Sequence, residues 1–215
     1  MTKTIMANNL AHLVLLGLVF HAPFAQPAEG RDGTGSLELA VKQVSETYCE
    51  ADDELATLRI RSNLQFTNTG QNSVILWKGS GQIERVLVAQ SNEEARAKHY
   101  VRQFPIMTIT TAQYPDLKVG PRPTDSFEVI PPGNSWEQVG EPFVFVARVE
   151  SNIYGLGPGK YVIQVDVAAW PETEEIGQVL SDRWKKWGVL WTQPVVRSSP
   201  LPIEVVKNPK VKDCP

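Results

Sequence analysis

The chain has 215 residues, with 21 Lys and Arg against 24 Asp and Glu, a formal net charge of −3. That balance leaves no basic footprint for nucleic acid, since Lys207, Lys210 and Lys212, the nearest approach to a basic cluster, neutralise too few phosphates. Two thiols alone make a poor zinc site, and their spacing excludes a Cys-x-x-Cys redox pair.

The first segment is read as a secretory signal. Leu10 to Phe20 is an apolar run with Lys3 ahead of it and small residues behind. It is too short for a membrane helix, which needs about 20 apolar residues. Cleavage is expected after Ala25, with Ala22 and Ala28 as alternatives. Residues 1–25 are then a removed signal peptide, 26–36 a flexible lead-in and 37–215 a single domain, secreted or periplasmic, with no transmembrane segment in the mature chain. In such a compartment Cys49 and Cys214 are expected to form a structural disulfide, intermolecular pairing being the rival. Closing so long a loop is worth up to about 5 kcal/mol in the chain-entropy model.

Beyond the lead-in the dominant period is two. Leu37 to Val44 is predicted as the first strand. In Leu58 to Thr67 the inward set Leu58, Ile60, Leu64 and Phe66 alternates with polar residues, and only Ser62 breaks the apolar face. Asn68-Thr69-Gly70-Gln71 is a run of turn formers before Val74 to Trp77, so the two segments read as a hairpin. Further strands are predicted at Ile83 to Val88, Tyr100 to Phe104, Phe127 to Ile130, Phe143 to Val149, Tyr161 to Val167, Val189 to Trp191 and Leu201 to Val206. Many short strands punctuated by Gly and Pro mean a mainly β protein, a sandwich or barrel.

Two segments break the pattern. Ser91-Asn92-Glu93-Glu94 is a capping box that opens a short helix through Lys98. Pro171 to Trp187 is predicted as a longer helix, with acids in its first turn, bases in its last and Gly188 as the stop. Trp170, Trp184, Trp187 and Trp191 lie close together around it. Trp184, Trp187 and Trp191 are the candidate binding patch, because indoles exposed together anchor partners. The other reading is that they glue the helix to the sheet.

Three elements, LQFTNTGQNSVIL, IPPGNSW and GLGPGKYVIQVDV, occur in the order expected of bacterial immunoglobulin-like sandwiches, which the chain resembles over Leu58 to Val167. Within that class it is similar to secreted relatives of the BsuPI-type proteinase-inhibitor fold. The resemblance implies an immunoglobulin-like antiparallel β-sandwich with two helical insertions. Tyr161, after Pro158-Gly159-Lys160, resembles the tyrosine corner of Greek-key sandwiches, a structural role. The Trp-rich helix and the terminal cysteines belong to no part of that pattern, and no inhibitory residues carry over.

Catalytic equipment is sparse. His12 and His21 leave with the signal, and His99 stands in no recognisable motif. No Gly-x-Ser-x-Gly elbow is present, and Gly-Leu-Gly-Pro-Gly-Lys fails as a phosphate loop at both ends. Glu50, Asp52, Asp53 and Glu54 are an acidic cluster that matches no calcium loop, and a solvated turn is its other reading. No catalytic residue, metal ligand or cofactor is assigned. The function expected is a non-catalytic binding or structural module of the cell envelope, its partner an unknown protein or envelope component. A proteinase inhibitor acting through an exposed loop such as Val119 to Asp125, and a hydrolytic enzyme of unrecognised type, are the alternatives.

Overall fold

Period-two alternation does build the sheets. The computed structural model describes residues 36–79, 82–106, 120–170 and 172–214. The expected signal segment, most of the lead-in, Val119 and Pro171 lie outside them. In chain order the strands are β1 (Leu37–Glu50), β2 (Leu55–Asn68), β3 (Val74–Trp77), β4 (Ile83–Ala89), β5 (Arg102–Pro105) and β6 (Phe127–Ile130). They continue with β7 (Ser135–Gly140), β8 (Phe143–Ala147), β9 (Gly159–Ala168), β10 (Val189–Leu190), β11 (Val195–Arg197) and β12 (Leu201–Val205). The helices are α1 (Asn92–Arg96) and α2 (Glu174–Trp184). The described residues are mainly β, of the β-sandwich class, with two helices among them.

One sheet is centred on β2, with β1 on one side and β7 and β8 sharing the other. A second runs β11-β9-β4-β5, and β12 also pairs with β9. The inner face of β2 (Leu58, Ile60, Leu64, Phe66) is fully buried, as the alternation predicts, and shares one core with Ile163, Val165 and Val167 of β9. Ser62 is buried among them, its hydroxyl donating to the Ile60 carbonyl at 3.1 Å, so the polar group is not orphaned. Strand β1 outruns its predicted end at Val44 because the register shifts between Gln43 and Ser45. That irregularity turns Val44 outward and breaks the apolar period while the pairing continues to Glu50.

The predicted hairpin is not formed. Strand β2 pairs with β1, β7 and β8, whereas β3 pairs with β6 and β10 in a separate three-stranded sheet. Asn68 causes the crossing. Its buried side-chain amide donates to the carbonyls of Asn72 and Ile130, both at 2.8 Å, and its oxygen accepts the Gly70 N–H at 2.9 Å, so the chain leaves one sheet and enters the next. All four residues of β3 are buried: Val74 and Leu76 join the main core, while Ile75 and Trp77 face Phe127, Leu180 and Trp184. Helix α2 docks on that second cluster.

Both helices are shorter than predicted. Thr173 precedes the first turn of α2, and its hydroxyl accepts the Ile176 N–H at 3.4 Å. The helix ends at Trp184. Gly188 marks the sharp exit, with φ 155° and a position where a Cβ would lie 2.5 Å from the Ser73 carbonyl oxygen. In α1 the Ser91 hydroxyl accepts the Glu94 N–H as a capping box requires, but the Glu94 carboxylate reaches back to the N–H of Gln90. Lys98 leaves the helix with φ 59°, so the predicted last turn is a left-handed exit.

Candidate functional site

The loop joining β8 to β9, residues 148–158, carries Asn, Gly and Pro turn formers, and its backbone is tied down at several points. Asn152 accepts the N–H groups of Tyr154 and Gly155 on its side-chain oxygen, at 2.9 and 3.1 Å. Leu156 returns the chain to β8: its N–H reaches the Phe145 carbonyl at 2.8 Å, and its carbonyl accepts the Ala147 N–H at 2.9 Å. The Leu156 side chain is in the core. The Arg102 guanidinium donates to the Ile153 carbonyl at 2.5 Å. Gly155 passes so close to β8 that a Cβ there would lie 2.3 Å from the Ala147 nitrogen, which leaves room for no side chain. Beyond this frame Ile153 and Tyr154 stand in solvent, 68% and 72% exposed.

The phenol of Tyr161, at the start of β9, donates to the Gly157 carbonyl at 3.1 Å, four residues upstream. It braces the second leg of the same loop.

Between this loop and the C-terminal segment lies a cleft of about 760 Å³, with Arg148, Val149 and Pro158 on one wall and Lys207, Pro209 and Val211 on the other. The acidic cluster does not line this cleft and reaches it only through Arg148. Asp52 caps its own turn by accepting the N–H groups of Glu54 and Leu55, at 2.8 and 2.7 Å, and Glu50 accepts Arg148 Nη1 at 3.1 Å. Arg148 also donates to the Asp52 carbonyl at 2.8 Å. Among the described residues no group of three or more His, Cys, Asp or Glu is placed to hold a metal ion.

The far wall is tied to β1. Cys49 and Cys214 form the intramolecular disulfide, Cα atoms 5.5 Å apart, a bond that persists in oxidising compartments. Lys212 donates to the Tyr48 carbonyl and accepts the Glu50 N–H, each at 2.9 Å. The Tyr48 phenol accepts the Val206 N–H at 3.1 Å and donates to the Glu204 carbonyl at 3.2 Å. Burial raises the pKa of this phenol above its ordinary 10.0, and the Val206 N–H opposes that rise.

The tryptophans do not form one surface. Trp184 is fully buried, edge-on to Phe127 with ring centroids 4.8 Å apart. Trp191 packs partly buried against the main core, its indole N–H without a partner among the described residues. Trp187 is 42% exposed and carries the Lys186 ammonium 5.6 Å from its ring centroid. What the structure does bring together is this helix end and the proline loop. The indole N–H of Trp184 donates to the Gly120 carbonyl and that of Trp187 to the Pro121 carbonyl, both at 3.3 Å. His99 is exposed at the exit of α1.

Sequence reading missed two features: the exposed pair Ile153 and Tyr154, and a polar cluster on the outer face of β9. Asp166 is fully buried between Arg85 and Arg197. Beside it Tyr100 donates to Gln164 at 2.8 Å, and Gln164 donates to the Ser198 carbonyl at 2.9 Å. The hydrogen bond to Asp166 raises the pKa of Arg197 above an already high value. The only sequence signal was a carboxylate on the second face of a strand whose first face is apolar. No helix among the described residues is long and apolar enough to cross a membrane. Comparison with protein-family models, curated proteins and solved structures finds no match to this chain.

Proposed function

We propose that the domain is an exported, non-catalytic binding module of the cell envelope, and that it engages a partner protein with the sandwich end formed by the 148–158 loop. The observation that carries this is the exposure of Ile153 and Tyr154 on a backbone fixed by Asn152, Arg102, Leu156 and Gly155. An apolar pair held rigid loses little conformational entropy on binding, and aromatic anchors carry much of an interface's energy. The immunoglobulin-like class belongs to the same proposal, supported by the inter-sheet crossing at Asn68 and the Tyr161 bond to Gly157. The test is crosslinking mass spectrometry with the mature, oxidised protein added to envelope extract from its source, wild type beside Tyr154→Ala and Ile153→Asp. Capture of one protein by wild type, lost in both variants, supports the module. Capture that ignores both variants, or no specific capture, overturns it.

One observation favours the proteinase-inhibitor reading as a second. The proline loop is anchored at Gly120 and Pro121 by two indole N–H groups, so residues 122–126 leave a fixed base. Titration of serine and cysteine endoproteases with the protein tests it: stoichiometric loss of activity supports an inhibitor, and cleavage of the protein as an ordinary substrate counts against one.

A further inference from the structure

We propose that the Cys49–Cys214 disulfide is a redox latch on the 760 Å³ cleft: reduction frees the C-terminal segment and dismantles one wall without unfolding the sandwich. None of residues 206–214 is buried, so no core side chain anchors this wall. What attaches it, among the described residues, is the pair of main-chain bonds at Lys212, the phenol of Tyr48 at Val206, and the disulfide. Main-chain bonds on an exposed edge open readily once their cross-link is gone, whereas the strands beneath keep their own buried faces. The bond therefore controls a local structure, the cleft, and the core stands on β2, β4 and β9.

The two sulfurs differ in access. Cys49 is 1% exposed on β1, and Cys214 is partly exposed at the chain end. A dithiol reductant approaches Cys214. One of its thiolates attacks the Cys214 sulfur, the S–S bond breaks, and Cys49 leaves as a thiolate that takes up a proton. The second thiol of the reductant then displaces Cys214 from the mixed disulfide. The protein gains two electrons and two protons, and the dithiol ends as a disulfide.

Hydrogen exchange with mass spectrometry tests the latch on the oxidised protein, the protein reduced with dithiothreitol, and the Cys214→Ser variant. The amides of Val206, Lys212 and Glu50 are expected to lose protection on the order of 100-fold in both reduced and variant protein, with β2 and β9 unchanged. Unaltered exchange of the tail on reduction overturns the proposal, since the wall then holds without its bond. Loss of protection across β9 also overturns it, because the bond would be a staple of the whole fold. A monothiol probe should be trapped on Cys214; trapping on Cys49 refutes the direction of attack. None of these readouts requires a partner, so failure of the latch and failure of the binding reading are separable.

Discussion

Arg197 grips Asp166 with two hydrogen bonds, Nε to Oδ1 at 2.6 Å and Nη2 to Oδ2 at 2.9 Å, while Arg85 takes Oδ2 from the other side at 2.9 Å. The carboxylate is fully buried and the two guanidinium side chains are 35% and 42% exposed, so the three contribute unequally. Asp166→Ala leaves two cations facing each other over a buried gap and is expected to cost about 3 kcal/mol. Arg197→Ala leaves Arg85 in place and should cost about half as much, its charge being already partly solvated. Urea denaturation of both variants measures the difference, and equal costs would refute the ranking.

Gly155→Ala places a methyl group 2.3 Å from the Ala147 nitrogen. Strand β8 and the loop must part, at a cost of about 2 kcal/mol. The amides of Leu156 and Ala147 should exchange faster, while those of β4 hold. A variant as stable as wild type would show that the loop can shift at no cost.

The tryptophans separate by substitution. Trp184→Ala empties the second cluster and should cost about 4 kcal/mol. Trp187→Ala removes a half-exposed ring and one long hydrogen bond, and should cost less than about 1 kcal/mol. Thermal melts followed by near-ultraviolet circular dichroism distinguish them. Similar losses would place Trp187 in the core with Trp184.

Tyr48 predicts an alkaline response. Its folded pKa lies above the unfolded 10.0, so the neutral phenol is the form the fold favours. That contribution is complete below pH 10 and disappears as pH rises through the folded value. Above that point the phenolate can no longer donate to the Glu204 carbonyl, and stability to urea, measured against pH, should fall. Tyr48→Phe should abolish this step in the pH profile. A step that persists in the variant assigns the transition to another group.

Much of the fold was legible because most strands bury a single face. Leu58, Ile60, Leu64 and Phe66 announce β2 directly, and Tyr161 to Val167 announces the core face of β9. Pairing was not legible. Nothing in the turn formers after β2 says that Asn68 bonds both Asn72 and Ile130, a contact across 62 positions that turns an apparent hairpin into a crossing. Strands β7 and β11 were missed for composition: Ser135-Trp136-Glu137-Gln138 carries no apolar alternation, and Val195-Val196-Arg197 is too short to show a period. The tryptophan patch misled because proximity in sequence is not proximity at the surface, and three residues after Trp184 the chain has already left the helix. Ile153 and Tyr154 were hidden by the opposite rule, an apolar pair in a polar loop that only the hydrogen bonds of its neighbours reveal as held in the open.

The bond between Cys49 and Cys214 also makes a covalent ring of everything from the end of β1 to the C-terminus. A protease that cuts once anywhere inside that ring leaves both pieces joined, and they separate in mass only after reduction. Even a nicked molecule therefore keeps β2 through β12 linked to the β1 strand that covers them, and a loop that meets a protease can be severed without the domain being lost.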